Sequence, residues 1–342
     1  MRLNLVKITL CSLLVLFLCQ HSAWAAGKSG TVTYTITPAV LEQSKSLKVW
    51  LPYPLSNQDQ TISNVKISGN YSESGVYKDA KSGAVFLYAG WPELKDKPLL
   101  TLSFHVDSAF KKGPALKSSS EHIPADIAAK YLVEDPWTPV SFFKDTAAKL
   151  IKGKKTVLAK AQAVYDWTVE NTYRDNAVKA CGLGQASRTI TECKGGGKCA
   201  DISSVFVALA RAAGVPARDV FGLRTASPKD GEITGDFHCW AEIYLPGHGW
   251  VMVDPADVRK MMLVHKLELK DSDTKKWREF FWNGDDLFRI VLNKESRGVR
   301  LTPAQQGEPI GYFMYPFAQV DGQTLDYFDA KAFSFKVELK LD

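Results

Sequence analysis

Cys199 follows the run Gly195-Gly196-Gly197-Lys198, and His238 and Asp254 come later in the chain on segments that read as consecutive strands. A thiol in the first turn of a helix feels the partial positive charge of unpaired backbone N–H groups, which favours thiolate and lowers its pKa. A thiolate attacks an amide carbonyl productively only if a neighbour accepts and returns protons near neutral pH, and His238 is suited to that. Asp254 would hold the ring in the right tautomer and stabilise the imidazolium. The glycines would let backbone approach a substrate closely, and the Cys199 N–H would help bind an oxyanion. Singly, each residue has a plainer reading: a small core cysteine, a hydrogen-bonded structural histidine, an aspartate opening a turn before proline. Their order, and their placement on a helix start and then on strands, is what singles them out.

The element that must carry Cys199 is a helix. Ile202, Val205, Phe206, Leu209, Ala210 and Ala213 recur at i, i+3, i+4 and i+7, and Gly214 and Pro216 stop the run. Asp201 falls in the first turn, where the helix dipole favours a carboxylate, and is read as structural. Strands are expected at Ala217 to Leu223, His238 to Leu245 and Trp250 to Val253, with Pro246-Gly247-His248-Gly249 as a hairpin turn. Pairing Tyr244 with His248 sets His238 opposite Asp254. Pairing Tyr244 with Trp250 makes them diagonal neighbours, about 7–8 Å apart at Cα. Either register lets the carboxylate reach the imidazole. Upstream, Leu158, Ala161, Val164, Tyr165 and Val169 line one face of a second helix.

With 342 residues the chain exceeds what one hydrophobic core usually serves, so two domains are expected. A composition 45% apolar and 23% charged excludes disordered and fibrous classes. Residues 1–25 read as an export signal: Arg2 and Lys7 in front, the apolar stretch Ile8 to Cys19, then Ala23-Trp24-Ala25 as the cleavage site. The mature chain is expected to start at Ala26 and to be periplasmic or secreted. Losing Arg2 and Lys7 takes the formal charge from +6 to +4. The densest basic cluster, Lys152-Gly153-Lys154-Lys155, is too short to grip a phosphate backbone, so nucleic acid is not an expected partner. No later segment approaches the roughly 20 apolar residues of a membrane span.

β-branched and aromatic runs at Thr31 to Thr37, Leu47 to Leu51, Ile62 to Ser68, Ala84 to Ala89 and Leu100 to Val106 read as an antiparallel β-sandwich over 26–112. A linker over 113–130 leads to a catalytic core over 131–262. Residues 263–342 read as a helix near Lys275 to Phe281 and strands at Leu287 to Leu292, Gly311 to Phe317 and Phe333 to Leu341. Whether that tail joins the catalytic sheet or the sandwich stays open.

Four cysteines follow the export signal: Cys181, Cys193, Cys199 and Cys239. In an oxidising compartment Cys181 and Cys193 would close a disulfide that staples the segment leading to Cys199. The rival is a metal site from Cys193, Cys199, Cys239 and His238. The absence of a Cys-x-x-Cys spacing favours the disulfide. Cys239 is read as packing on the strand face opposite His238.

From about Leu132 to Lys260 the chain resembles the transglutaminase-like superfamily, the papain-related fold with a Cys, His, Asp triad. The matching stretches are Gly196-Gly197-Lys198-Cys199-Ala200-Asp201, Leu209-Ala210-Arg211-Ala212-Ala213-Gly214-Val215-Pro216-Ala217-Arg218, His238-Cys239-Trp240-Ala241-Glu242 and Gly249-Trp250-Val251-Met252-Val253-Asp254-Pro255. A looser likeness to exported bacterial members with a β-rich N-terminal domain runs through Val49-Trp50-Leu51-Pro52-Tyr53-Pro54 and Tyr312-Phe313-Met314-Tyr315-Pro316. The resemblance implies an α+β fold: a transglutaminase-like (papain-related) catalytic core with an N-terminal antiparallel β-sandwich. It implies Cys199 as nucleophile, His238 as general base and acid and Asp254 as orienting acid, with Trp167 or Tyr173 as second oxyanion donor. A calcium-loop pattern is absent, and no cofactor or metal is expected.

The function expected is an exported cysteine-dependent acyl-transfer enzyme, acting on peptide or side-chain amides through a thioester. Hydrolysis is favoured because water is always present. The alternatives are a protein-crosslinking transglutaminase and a non-catalytic module that binds peptide or cell wall. A peptide or protein is the expected partner, and cell-wall peptide is suggested by location only.

Overall fold

The strand Leu100–Ser108 alternates buried and half-buried residues along its whole length, sending Leu100, Leu102, Phe104 and Val106 inward. Lys28–Ile36 does the same with Val32, Tyr34 and Ile36. This period of two is what a sheet with one wet face requires. In the computed structural model, which describes residues 28–285 and 287–342, these strands form a five-stranded antiparallel sheet. Its order is Gly231–Glu232, Phe335–Leu341, Lys28–Ile36, Leu100–Ser108, Gln60–Gly69. A second five-stranded sheet runs Gln323–Thr324, Phe317–Val320, Leu47–Pro52, Val85–Trp91, Glu73–Lys78. The inward residues of both sheets share one core, which takes in Leu47, Val49 and Leu51 opposite Leu102 and Phe104. The export signal read in residues 1–25 lies outside the described residues.

The sandwich is therefore closed by the end of the chain. The tail serves both sheets and the core: Phe288–Lys294 pairs with Ala217–Thr225, whereas Phe317–Val320 and Phe335–Leu341 join the sandwich. The stretch read as a linker contains a helix, Ala125–Tyr131. Phe104 is fully buried between the sheets, so Phe104→Ala is expected to cost about 3–5 kcal/mol, measured as a shift in the urea midpoint.

The rest is a four-stranded antiparallel sheet, ordered Gly249–Val253, Phe237–Leu245, Ala217–Thr225, Phe288–Lys294, packed against helices. The helix Cys199–Ala212 is buried along most of its length and sits between this sheet and the helices Lys144–Ile151 and Val157–Asn171. Its apolar stripe, the same one seen in the sequence, explains why it is central. The fold is α+β. Polar clamps join sandwich to core: Gln60 donates to Val291 O (2.9 Å) and accepts from Val291 N (2.7 Å), and Ser108 Oγ donates to Arg289 O (2.8 Å). Among the described residues no helix is long and apolar enough to cross a membrane.

Candidate active site

The helix Cys199–Ala212 begins where the glycine run ends, and the run is folded against the protein rather than toward an open space. Tyr173 and Arg174 pair in parallel with Gly196 and Gly197. Gly195 has φ +87°, and a Cβ there would meet Asn171 O at 2.3 Å, so only glycine fits. The close approach expected between glycines and substrate is made instead with the chain's own backbone.

Hydrogen bonds tie the segment 181–184 to the helix start. Ala200 N–H donates to Cys181 O (2.9 Å), and Asp201 accepts from Gly184 N (2.9 Å) and Lys198 N (3.1 Å). Tyr312 Oη donates to Gly182 O (2.7 Å), and buried Arg297 bonds Gly184 O, Ser204 Oγ and Asp219. Asp201→Ala, which strips the partner from two backbone N–H groups, is expected to lower stability by about 1–3 kcal/mol in denaturant unfolding.

The expected Cys181–Cys193 disulfide is not formed, and the segment is stapled by these hydrogen bonds instead. All four cysteines among the described residues are unpaired. Cys181 turns inward, its thiol on Phe237 O at 3.3 Å, while Cys193 stays half-buried beyond the short helix Ala186–Thr191. The sulfurs of Cys181, Cys199 and Cys239 lie within 4.8 Å of one another, all buried. Cys239 thus faces the Cys199 helix, opposite His238 on its strand. This trio, without Cys193, is the thiol set that could hold a soft cation.

In the hairpin Tyr244 pairs with Trp250, so His238 and Asp254 are diagonal neighbours. His238 Nε2 lies 2.7 Å from Asp254 Oδ2, both groups buried. That contact leaves Nδ1 on the side of the ring away from Asp254, and Cys199 and His238 line the same cavity. Asp254 also caps the helix Pro255–His265 by accepting from Asp257 N (2.9 Å). Such a cap fixes the carboxylate before any histidine arrives. Arg289 Nη2 donates to the same Asp254 oxygen (2.9 Å) and to Asp285 (2.6 Å), and its guanidinium lies over the Trp240 ring. Arg224 pairs with Asp257 at 2.8 Å, and Asp257 comes within 3.6 Å of His238 Nε2.

With His238 protonated, three buried cations, His238, Arg224 and Arg289, face three buried carboxylates, Asp254, Asp257 and Asp285. A buried network balanced this way favours the imidazolium. Burial acts against charge on His238, but the carboxylates of Asp257 and Asp254 outweigh it and raise the ring's pKa. Burial likewise opposes ionisation of Cys199. Hydrogen bonds with Cys181, Cys239 and His238, and the charge of His238, overcome it and hold the thiol well below the usual range. Cys181, bonded to Cys199, and Cys239, desolvated, are pushed up well above it, so the trio carries one thiolate between two S–H donors. The three carboxylates are already matched by the arginines and the imidazole, which makes them poor ligands for a cation.

The cavity in front of Cys199 and His238 has a volume of about 240 Å³. Neither aromatic proposed as second oxyanion donor reaches it. Trp167 packs in the helical core, and Tyr173 is exposed, with its hydroxyl over Gly196. Helical spacing carries Trp167 inward with Val164, away from the Cys199 helix start. The side chains that sequence reasoning missed are Arg224, Asp257, Asp285 and Arg289, and Cys181, expected in a disulfide, joins the thiol cluster. Only Asp257 had a local signal, three residues after a capping aspartate.

Residues 144–255, which include Cys199, His238 and Asp254, match the transglutaminase-like superfamily. Over 89% of its length the chain is 34% identical to 89% of an uncharacterized protein from Haemophilus influenzae. The chain belongs to the transglutaminase-like superfamily. A shorter likeness, 35% identity over 88 residues, is to the uncharacterized protein YebA of Bacillus subtilis, covering 23% of this chain and 11% of that one. Among solved structures, a candidate cysteine protease from Cytophaga hutchinsonii superposes with TM-score 0.52 at 16% identity, covering 92% of this chain and 98% of that one. At that identity the likeness speaks for the fold alone.

Proposed function

We propose that this transglutaminase-like protein is a cysteine-dependent acyl-transfer enzyme that cleaves peptide or side-chain amides. The observation that carries the reading is a buried thiol at a helix start, lining one cavity with His238, whose Nε2 is held by the buried Asp254 carboxylate at 2.7 Å. The Cys199 thiolate adds to the amide carbonyl. The oxyanion is received by the Cys199 N–H, which has no acceptor within its own helix. The His238 imidazolium gives its proton to the departing amine, and a thioester forms. Neutral His238 then takes a proton from water, whose oxygen attacks the thioester and releases the acid. Asp254 keeps the ring oriented through both steps. Residues 131–262 hold the three groups, and the signal read over 1–25 makes the enzyme exported, with peptide or protein as substrate.

The test is to incubate the full chain with a peptide pool, quench in acid and search the Cys199 peptide by mass spectrometry. An acyl adduct on Cys199, labile to hydroxylamine and absent from Cys199→Ala, is expected. With a fluorescent primary amine present, hydrolysed product is expected to outweigh amine conjugate. The reverse ratio makes it a crosslinking transglutaminase, and peptides retained without any adduct make it a binding module.

A further inference from the structure

We propose that the cavity before Cys199 recognises a carboxylate, so that the amide presented to the thiol belongs to an acidic peptide or acyl group. This deepens the acyl-transfer reading and rests on it for the position of the scissile bond. Four cationic side chains line the cavity, Arg174, Lys198, Arg224 and Lys260, against a single carboxylate besides the buried network, Asp236. One oxygen of Asp236 is already occupied by Thr225 Oγ1 at 2.8 Å. Arg224 is matched by Asp257, but among the described residues Arg174, Lys198 and Lys260 form no ion pair. With Cys199 ionised and Asp236 charged, those three cations still exceed the two anions.

Two buried guanidinium nitrogens in this wall, Arg174 Nη1 and Arg224 Nε, have no hydrogen-bond partner among the described residues, and Arg224 is 6% exposed. A buried donor left unpaired is costly, and a planar guanidinium is shaped to receive a carboxylate in two parallel bonds. The backbone pairing of Arg174 with Gly197 holds it two residues from Cys199 in the neighbouring strand. Burial and the neighbouring charges of Arg224 and Arg174 also lower the pKa of Lys260, against the opposing pull of Asp257 and Cys199. A bound carboxylate relieves that crowding. Tyr315, Phe328 and Phe335 complete the wall and give an apolar surface for the stem of such a group.

Two readouts test this. In the first, the full chain is alkylated with iodoacetate or iodoacetamide and the rates are referred to glutathione. The anionic reagent is expected to be favoured, and that preference, taken as the ratio of the two rates within each protein, is expected to fall about tenfold in Arg174→Gln and Lys260→Gln. A preference unchanged in both variants overturns the proposal. In the second, Cys199→Ala is titrated by NMR with acetyl-alanyl-glutamate and with its α-amide, γ-amide and diamide. The diacid is expected to bind at least about tenfold more tightly than the diamide, with the loss repeated in Arg174→Gln, and the two monoamides say whether a terminal or a side-chain carboxylate is read. Equal affinity for diacid and diamide overturns it. A Cys199 no faster than glutathione toward iodoacetamide would sink the nucleophile reading instead, and the binding titration decides the carboxylate independently.

Discussion

Replacing Arg289 by methionine is expected to destabilise the protein by about 3–5 kcal/mol at neutral pH. Methionine matches the apolar stem and can still lie on the Trp240 ring, so little of the loss comes from a cavity. What is lost is the partner of two fully buried carboxylates, Asp254 and Asp285, each within 2.9 Å of the guanidinium. A buried charge left unpaired shifts its pKa upward and is neutralised by a proton where pH allows. The deficit of Arg289→Met should therefore shrink as pH falls, because the folded variant takes up protons that the unfolded chain does not yet bind. Urea unfolding of parent and variant at several pH values checks both parts. A deficit below about 1 kcal/mol, or one that does not vary with pH, would show that the network contributes little.

His238→Ala is expected to slow alkylation of Cys199 about a hundredfold at pH 6. In the parent the thiol is held well below its usual range by hydrogen bonding with Cys181 and Cys239 and by His238. Without the imidazole its apparent pKa moves toward the ordinary value of about 8.5, and only a small fraction is ionised at pH 6. Near pH 9 the two rates should converge. Turnover by the parent should follow a bell-shaped profile: the acid limb reports protonation of the lowered thiolate, and the alkaline limb reports loss of the raised imidazolium proton. The same shift bears on stability. The histidine pKa is raised on folding, so its contribution is complete below the unfolded value of about 6.5 and disappears as pH rises through the folded value. An alkylation profile identical in parent and variant would remove His238 from the site.

Elements defined by their own periodicity were legible in the chain. The helix Cys199–Ala212 carries its apolar stripe, its stop glycine and its following proline in one stretch, and the hairpin brought His238 to Asp254 in either register. The strand Glu73–Lys78 was missed because it is a sheet edge with no buried residue, so no inward face was imprinted on its side chains. Arg289, on the strand Phe288–Lys294, and Asp285, in the loop before it, reach the site from more than thirty residues beyond Asp254 (35 to Arg289), and nothing local distinguishes a buried arginine from a surface one. The disulfide expectation failed for a related reason. Cysteine counting weighs spacing, whereas Cys181 turned toward Phe237 and Cys239, both on one strand distant in sequence.

The strand Phe335–Leu341 is hydrogen-bonded to Lys28–Ile36 along its length, with Gly30 opposite Leu341. The two strands lie far apart in sequence, so Lys28–Ile36 keeps one edge bare until Phe335–Leu341 docks. Contacts this far apart in sequence are slow to form, and an unpaired strand edge is open to wrong partners meanwhile. Because the core of the sandwich is continuous with the residues around Cys199 and Cys239, the thiol site is assembled late by the same closure. Loss of this closing strand would therefore open the core beneath the thiol site together with the sandwich.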